Sequence, residues 1–190
     1  MESTHYCSQC GTAVEHRIPD DDSQTRAVCP ACDHIHYSNP KIVVGCLLTS
    51  DDKVLLCQRD IEPRINFWTL PAGYMENYET TEEGALREAK EEACADALQT
   101  HLFAIYDIPR ISHVYMLYKG ELANGHAAAG DETRAVALLG ESEIPWDKLA
   151  FAVMNEALQR HFEDSREEVT RVHRATFLGS PGNKIEIIRA

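Results

Sequence analysis

Apolar and polar positions alternate with period two in some stretches of this chain and with period 3.6 in others, which separates strands from helices. Ile42-Val43-Val44-Gly45-Cys46-Leu47-Leu48-Thr49 is an apolar, β-branched run and predicts a buried strand. Ser50-Asp51-Asp52-Lys53 is a polar turn, and Val54 to Arg59 predicts a second strand that closes a hairpin with the first. Leu98 to Tyr106 and His113 to Leu122 alternate and predict two further strands. From Asp147 to about Arg166, Leu149, Val153, Ala157, Leu158 and Phe162 recur at helical spacing, which predicts a helix lying over the sheet. Between these elements, residues 60–66 and 107–112 are expected to be loops, the second at the mouth of a site. Residues 123–131, with two glycines and three successive alanines, are a flexible connection. In residues 167–190 the strand-like part is Ile185 to Ile188.

The most informative helix is a short one. Thr80 followed three residues later by Glu83 is a capping-box pattern, and residues 81–93 are good helix formers apart from Gly84. On a wheel of 3.6 residues per turn, Leu86, Ala89 and Ala93 share one side, while Glu88, Glu91 and Glu92 share the other. Like charges this close destabilise a helix by a few tenths of a kcal/mol in water, and more when desolvated. A hard divalent cation removes that penalty, since Mg²⁺ prefers carboxylate oxygens and commonly binds a substrate phosphate as well. Gly84 projects no side chain near the acidic cluster and is expected to leave room for a ligand.

Gly73, Glu79, the Arg87-Glu88-Ala89 triplet, Glu91-Glu92 and Cys94-Ala95 together resemble the Nudix box, G-x5-E-x7-R-E-U-x-E-E-x-G-U. Every charged position and the first glycine match. Cys94 stands where the family has glycine, at a helix end where left-handed backbone is common, and alanines occupy the two positions that usually carry larger aliphatic residues. The resemblance implies an α/β (α+β) fold, a Nudix α/β/α sandwich with a mixed sheet. It also implies that Glu88, Glu91 and Glu92 hold Mg²⁺ or Mn²⁺, with the backbone carbonyl of Ala72, in the Pro71-Ala72-Gly73 lead-in, completing the shell. Glu79 and Arg87 are the implied supporting ion pair, and Glu132 is the candidate further acid for metal binding or base work. Either Glu91 or Glu92 is the candidate to take a proton from water. Arg59 closes its strand as a phosphate-binding candidate. Trp68, Tyr74 and Tyr106 are candidates for stacking on adenine or flavin, with core or dimer-interface roles as the alternative.

The first 36 residues hold a different kind of site. Cys7-Ser8-Gln9-Cys10 and Cys29-Pro30-Ala31-Cys32 are two C-x2-C knuckles with eighteen residues between them. The spacing is that of structural zinc sites, and the segment resembles a zinc ribbon whose folding depends on its metal. The nearby His5, His16, His34 and His36 are expected on the surface, since four thiolates fill the shell. The expected organisation is therefore a zinc ribbon over residues 1–36 and a Nudix domain over residues 37–190.

The chain has 190 residues, 44% of them hydrophobic, and a formal net charge of −13. Such a surface repels nucleic-acid backbones on average but admits small phosphorylated ligands held through metals. No run of 18 apolar residues and no signal-peptide pattern is present, so the expectation is a cytoplasmic protein without a membrane partner. The remaining Cys46, Cys57 and Cys94 fit small buried residues.

The ribbon, the NPKIVVGCLL and VLLCQRDIEP strands, FWTLPAGYMENYET, DIP and EIPW are similar to plant plastid FAD/ADP-ribose pyrophosphatases and their bacterial relatives. The implied activity is hydrolysis of a nucleoside diphosphate derivative, FAD or ADP-ribose, to AMP and a phosphorylated product by a homodimer. NADH and dinucleoside polyphosphates are the alternative substrates, although no SQPWPFPxS string follows the box. The contrasting reading is an inactive module that binds nucleic acid or protein.

Overall fold

The computed structural model describes residues 4–179 and 185–190. The chain forms two compact units, Met1–Pro40 and Lys41–Ala190. In the first unit, strands β1 (Glu15–Arg17), β2 (Arg26–Val28) and β3 (Ile35–His36) form an antiparallel sheet in that order. Its four cysteines are all unbridged, and their sulfurs lie within 4.8 Å of one another. Cys10 and Cys29 are 3.5 Å apart, and Cys7 and Cys32 are 3.7 Å apart. Four thiols converging without disulfides are a donor set suited to tetrahedral zinc. His5, His16 and His34 are exposed as expected, whereas His36 is half-buried.

The second unit is a mixed sheet with a helix on each face. Its strands are β4 (Lys41–Ser50), β5 (Lys53–Arg59), β6 (Trp68–Thr69), β7 (Ala72–Tyr74), β8 (Ala97–Ile108), β9 (His113–Leu122), β10 (Thr133–Leu139), β11 (His173–Leu178) and β12 (Glu186–Arg189). The order is β10-β5-β4-β9-β8-β11-β12, with β4–β9 and β8–β11 parallel. Alternation along β4 sorts its two faces. Val43 and Leu47 join the core under helix α2 (Ala152–Glu167). Val44, Cys46 and Leu48 join the core under helix α1 (Thr81–Ala93), where Ala85, Ala89 and Ala93 let the helix approach closely.

The hairpin read from the sequence exists only at its tip. β4 and β5 pair at Thr49–Val54 and Ser50–Lys53 and then diverge. The wedge between them is filled by β6, which pairs with β5, and by β7, which pairs with β4. Two- and three-residue strands carry no periodicity of their own, so the sequence does not announce them.

α1 spans the predicted residues and carries the full capping box at Thr80 and Glu83. Cys94 ends it in left-handed backbone at φ 48°, where a non-glycine residue costs roughly 1–2 kcal/mol. α2 begins at Ala152, later than the predicted Asp147. Trp146–Lys148 is a separate 3₁₀ turn, and Leu149 bridges to Trp68 instead of entering the helix. The 123–131 connection is anchored, not loose. The Ala128 N–H donates to the Ala93 carbonyl at 2.8 Å and the Gly130 N–H to the Glu92 carbonyl at 3.0 Å, which satisfies carbonyls at the open end of α1. No described helix is long and apolar enough to cross a membrane.

Candidate active site

A cavity of about 1120 Å³ opens at the wedge. One wall is acidic, with Glu88, Glu91 and Glu92 of α1 joined by Glu76, Asp131 and Glu132. The floor is Val43, Tyr115 and Phe177, and the start of α2 contributes Phe151 and Val153. Arg59, Arg64 and Arg110 bring positive charge to the same space.

The acidic face of α1 is not a solvated one. Glu88 and Glu92 are each only 9% exposed, while the Glu91 side chain is 60% exposed. The Ala72 N–H donates to one oxygen of Glu92 at 3.0 Å, so β7 fixes that carboxylate through its backbone. Glu88 lies so close against Gly73 that a Cβ there would meet its carboxylate at 2.4 Å. Gly73 is thus demanded by the placement of Glu88. Gly84 serves packing instead of leaving ligand space, because a Cβ at that position would meet Glu79 at 2.6 Å and Val44 at 2.9 Å.

Arg87 ties the wall together. It donates to both oxygens of Glu79, at 3.0 and 2.9 Å, in the ion pair expected from the sequence. It also reaches Glu88 at 2.7 Å, Glu91 at 3.0 Å and the Tyr74 carbonyl at 3.1 Å. The Arg87 hydrogen bonds, followed by the Glu76 N–H, hold the Glu79 carboxyl down at about 2. Burial does the opposite to its neighbours. It raises Glu88 above the ordinary carboxylate range in spite of Arg87. It pushes Glu92 up to about 7, against the Ala72 N–H bond and with the Glu88 charge adding to the rise. Desolvated carboxylates with so little compensating charge are poised to take a cation.

One oxygen each of Glu88 and Glu91 accepts from Arg87 and one of Glu92 from Ala72, and the second oxygen of each has no donor among the described residues. Among the described residues only the four thiols draw their ligand atoms within 4.8 Å of one another, so the glutamates form the more open set. An open carboxylate set suits Mg²⁺ or Mn²⁺, hard cations that keep part of their water.

The structure brings Arg59, Ala72, Tyr74, Arg87, Glu88, Glu91, Glu92 and Glu132 to one cavity, with Glu79 behind Arg87. The loop after β5 is held for this purpose. The Asp60 N–H donates to the Glu132 carbonyl at 3.0 Å, and Arg134 pairs with Asp60 at 2.7 Å. Two expected stacking residues are elsewhere. Trp68 packs into the core under α2, with its carbonyl accepting from Ala150, and is absent from the cavity wall. Tyr106 is 0% exposed and meets Phe177 edge-on at 5.5 Å. Strand alternation gave Tyr106 a face but did not say which face holds the core, and Trp68 lies in a two-residue strand with no alternation to read.

Other cavity residues carried no motif. His113 sits edge-on to Tyr74 at 5.6 Å, with burial and then Lys41 lowering its pKa. Lys41 lies 5.0 Å over the Tyr74 ring, and the Arg59 guanidinium lies 5.5 Å over Phe151. The one available signal was that His113 opens an alternating strand just after the loop expected at the mouth.

Comparison with known proteins agrees with this geometry. A family model described as Nudix N-terminal, a zinc ribbon, matches residues 5–38, and one described as NUDIX domain matches residues 39–166. A crystal structure of a NUDIX hydrolase from Nitrosomonas europaea superposes with a TM-score of 0.88 at 45% identity, covering 91% of this chain and 98% of that one. An ADP-ribose pyrophosphatase of Methanocaldococcus jannaschii is 31% identical over 122 residues, which are 60% of this chain and 69% of the relative. An NAD-capped RNA hydrolase NudC of Photorhabdus laumondii is 34% identical over 93 residues, but these cover 48% of this chain and only 34% of that relative.

Proposed function

Because the chain belongs to the NUDIX family and is a hydrolase of phosphorus-containing anhydrides, we propose that it cleaves a nucleoside diphosphate joined to a second group, with ADP-ribose as the leading substrate. The observation that carries this reading is the pair of buried carboxylates, Glu88 and Glu92, facing a cavity that also holds four arginines, Arg59, Arg64, Arg87 and Arg110. A diphosphate with a divalent cation completes both halves of that charge pattern. The M. jannaschii ADP-ribose pyrophosphatase supports the choice of substrate, as the relative of which this chain covers 69%.

In this reading Glu88, Glu91, Glu92 and the Ala72 carbonyl hold Mg²⁺ or Mn²⁺, and Glu132 stands across from them. When bound, such a cation neutralises the diphosphate and increases the acidity of a coordinated water. Glu79 fixes Arg87, and Arg87 fixes Glu88 and Glu91, so the carboxylates are held before substrate arrives. The proton lost by water goes to Glu91 or Glu92. Arg59 meets the diphosphate, and Tyr74 offers its half-exposed ring to the base. Water adds at phosphorus, the bridging anhydride bond breaks, and ADP-ribose yields AMP and ribose 5-phosphate. Cys7, Cys10, Cys29 and Cys32 hold a structural zinc away from this chemistry.

The test is product analysis. The zinc-loaded protein is incubated with Mg²⁺ and, separately, ADP-ribose, FAD, NADH and a dinucleoside polyphosphate. AMP with ribose 5-phosphate as the fastest products supports the reading. Faster release of FMN from FAD or of NMNH from NADH moves the assignment to that substrate, and no AMP from any of the four overturns it.

A further inference from the structure

A second cavity, of about 540 Å³, shares no lining residue with the first among the described residues. It lies at the other end of the same three elements. β4 contributes Val43 to the first cavity and Thr49 to the second, six residues or roughly 20 Å further along the strand. β9 contributes Tyr115 to one and Lys119 to the other. α2 contributes its first turn to one and His161, Phe162, Ser165 and Arg166 to the other. The volume falls in the range of small-molecule sites, roughly 300–1,000 Å³.

The polar groups inside are incomplete. Lys119 is half-buried and makes no hydrogen bond or ion pair with any described residue. His161 is 5% exposed, and its Nδ1 is buried without a partner. Burial, and next to it the Lys119 charge, lowers His161 to about 4, so the ring is neutral. Its Nε2 makes no hydrogen bond with any described residue and is the nitrogen available to a ligand. Arg166 is held by both oxygens of Glu141, at 2.9 and 2.8 Å, which fixes its guanidinium at the wall. Lys119 has no acceptor among the described residues, and Arg166 spends only Nη1 on Glu141, which leaves Nε and Nη2 for a ligand. At the β4–β5 turn the cavity carries the opposite chemistry, the exposed carboxylates of Asp51 and Asp52. A bare phosphate is repelled by them, whereas sugar hydroxyls donate to them. The Phe162 ring supplies an apolar surface for sugar carbons.

We propose that this second cavity binds a phosphorylated sugar, with the phosphate on Lys119, His161 and Arg166 and the hydroxyls on Asp51 and Asp52. The site is independent of the diphosphate reading, because no described residue is common to the two cavities.

The test is calorimetry on the zinc-loaded protein without added magnesium, titrated with ribose 5-phosphate, inorganic phosphate and ribose. The expected result is saturable binding of ribose 5-phosphate, at least tenfold tighter than of phosphate or ribose. Lys119→Gln weakens it at least tenfold, Lys119→Arg restores it to within threefold, and Asp52→Asn, on an exposed turn where folding is not at risk, weakens it several-fold. Arg59→Ala, in the first cavity, leaves it unchanged. The proposal is overturned by absence of binding, by equal affinity for inorganic phosphate, or by binding that survives Lys119→Gln and Asp52→Asn. Binding lost in Arg59→Ala also overturns it, by locating the ligand in the first cavity and leaving the diphosphate reading intact.

Discussion

Each of the two helices of the larger unit buries two carboxylates, and the two pairs are treated in opposite ways. α2 buries Glu156 and Asp164 at 2% exposure each and meets both with cations. Glu156 accepts from Arg160 at 2.8 Å and from Arg189 of β12 at 2.7 and 2.8 Å. Asp164 accepts from His173 at 2.7 Å, with Arg171 at 3.4 Å. Despite burial, Glu156 ends below the ordinary carboxylate range because Arg189 and Arg160 outweigh desolvation. α1 buries Glu88 and Glu92, giving Glu88 an arginine that also serves Glu79 and Glu91 and giving Glu92 one backbone N–H, so both end above that range. Burial alone therefore does not mark a site. The mark is burial whose charge the protein declines to balance.

The contrast breaks most readily at Glu156. Glu156→Ala leaves Arg189 without its acceptor and Arg160 with Glu163 alone, and the expected loss is roughly 3 kcal/mol of stability. It is read by urea unfolding, with the specific activity of the folded fraction retained. A small stability loss with a large loss of activity would erase the distinction between the helices.

Glu91→Gln is the counterpart on α1. Turnover is expected to fall at least ~100-fold, about 2.7 kcal/mol of barrier, with an unchanged unfolding midpoint. Near-wild-type kcat would remove the acidic wall from the chemistry.

pH separates the pairs by sign. The folded pKa of Glu156 lies below its unfolded value, so its contribution is present above the unfolded pKa and is lost as pH falls through the folded one. Glu92 is raised from 4.5 to about 7, so the metal-free fold loses stability as pH rises across that window. Glu92→Gln is thus expected to stabilise the magnesium-free protein at pH 8 by roughly 1–3 kcal/mol and to change little at pH 4.5. Added Mg²⁺ should stabilise the wild type more than the variant. Thermal melts at the two pH values, with and without Mg²⁺, check this, and the same ranking under all conditions would refute it.

Aromatic residues give the smaller effects. Tyr74→Ala should raise KM several-fold, about 1 kcal/mol, with little change in kcat. Tyr106→Phe should stabilise the fold by about 1 kcal/mol and leave steady-state kinetics alone, because its buried hydroxyl has no partner among the described residues.

The acidic wall was legible because a helix writes its faces into residue spacing, and the capping box fixed where the count begins. The C-x2-C knuckles were legible for a similar reason, since each places two sulfurs on one turn. What escaped depended on distant neighbours. Whether Glu88 and Glu92 are wet or dry is decided by β7, three residues long and held by β4. Whether Tyr106 faces a ligand or the core is decided by Phe177, seventy-one positions away. The late start of α2 follows from Leu149 bridging to Trp68, a long-range contact that overrides local helical spacing.

The wedge between β4 and β5 has a consequence for how such a protein changes under selection. α1 packs on one side of the sheet and the floor residues Val43, Tyr115 and Phe177 belong to the core on the other. The carboxylates and the floor meet only in the cavity. A library that randomises those three positions thus searches pocket shapes without disturbing the alanine seam that seats α1. A library at Ala85, Ala89 and Ala93 does the reverse, shifting the carboxylates under an unchanged floor. The gap in the sheet thus separates the positions that shape the cavity floor from those that seat α1.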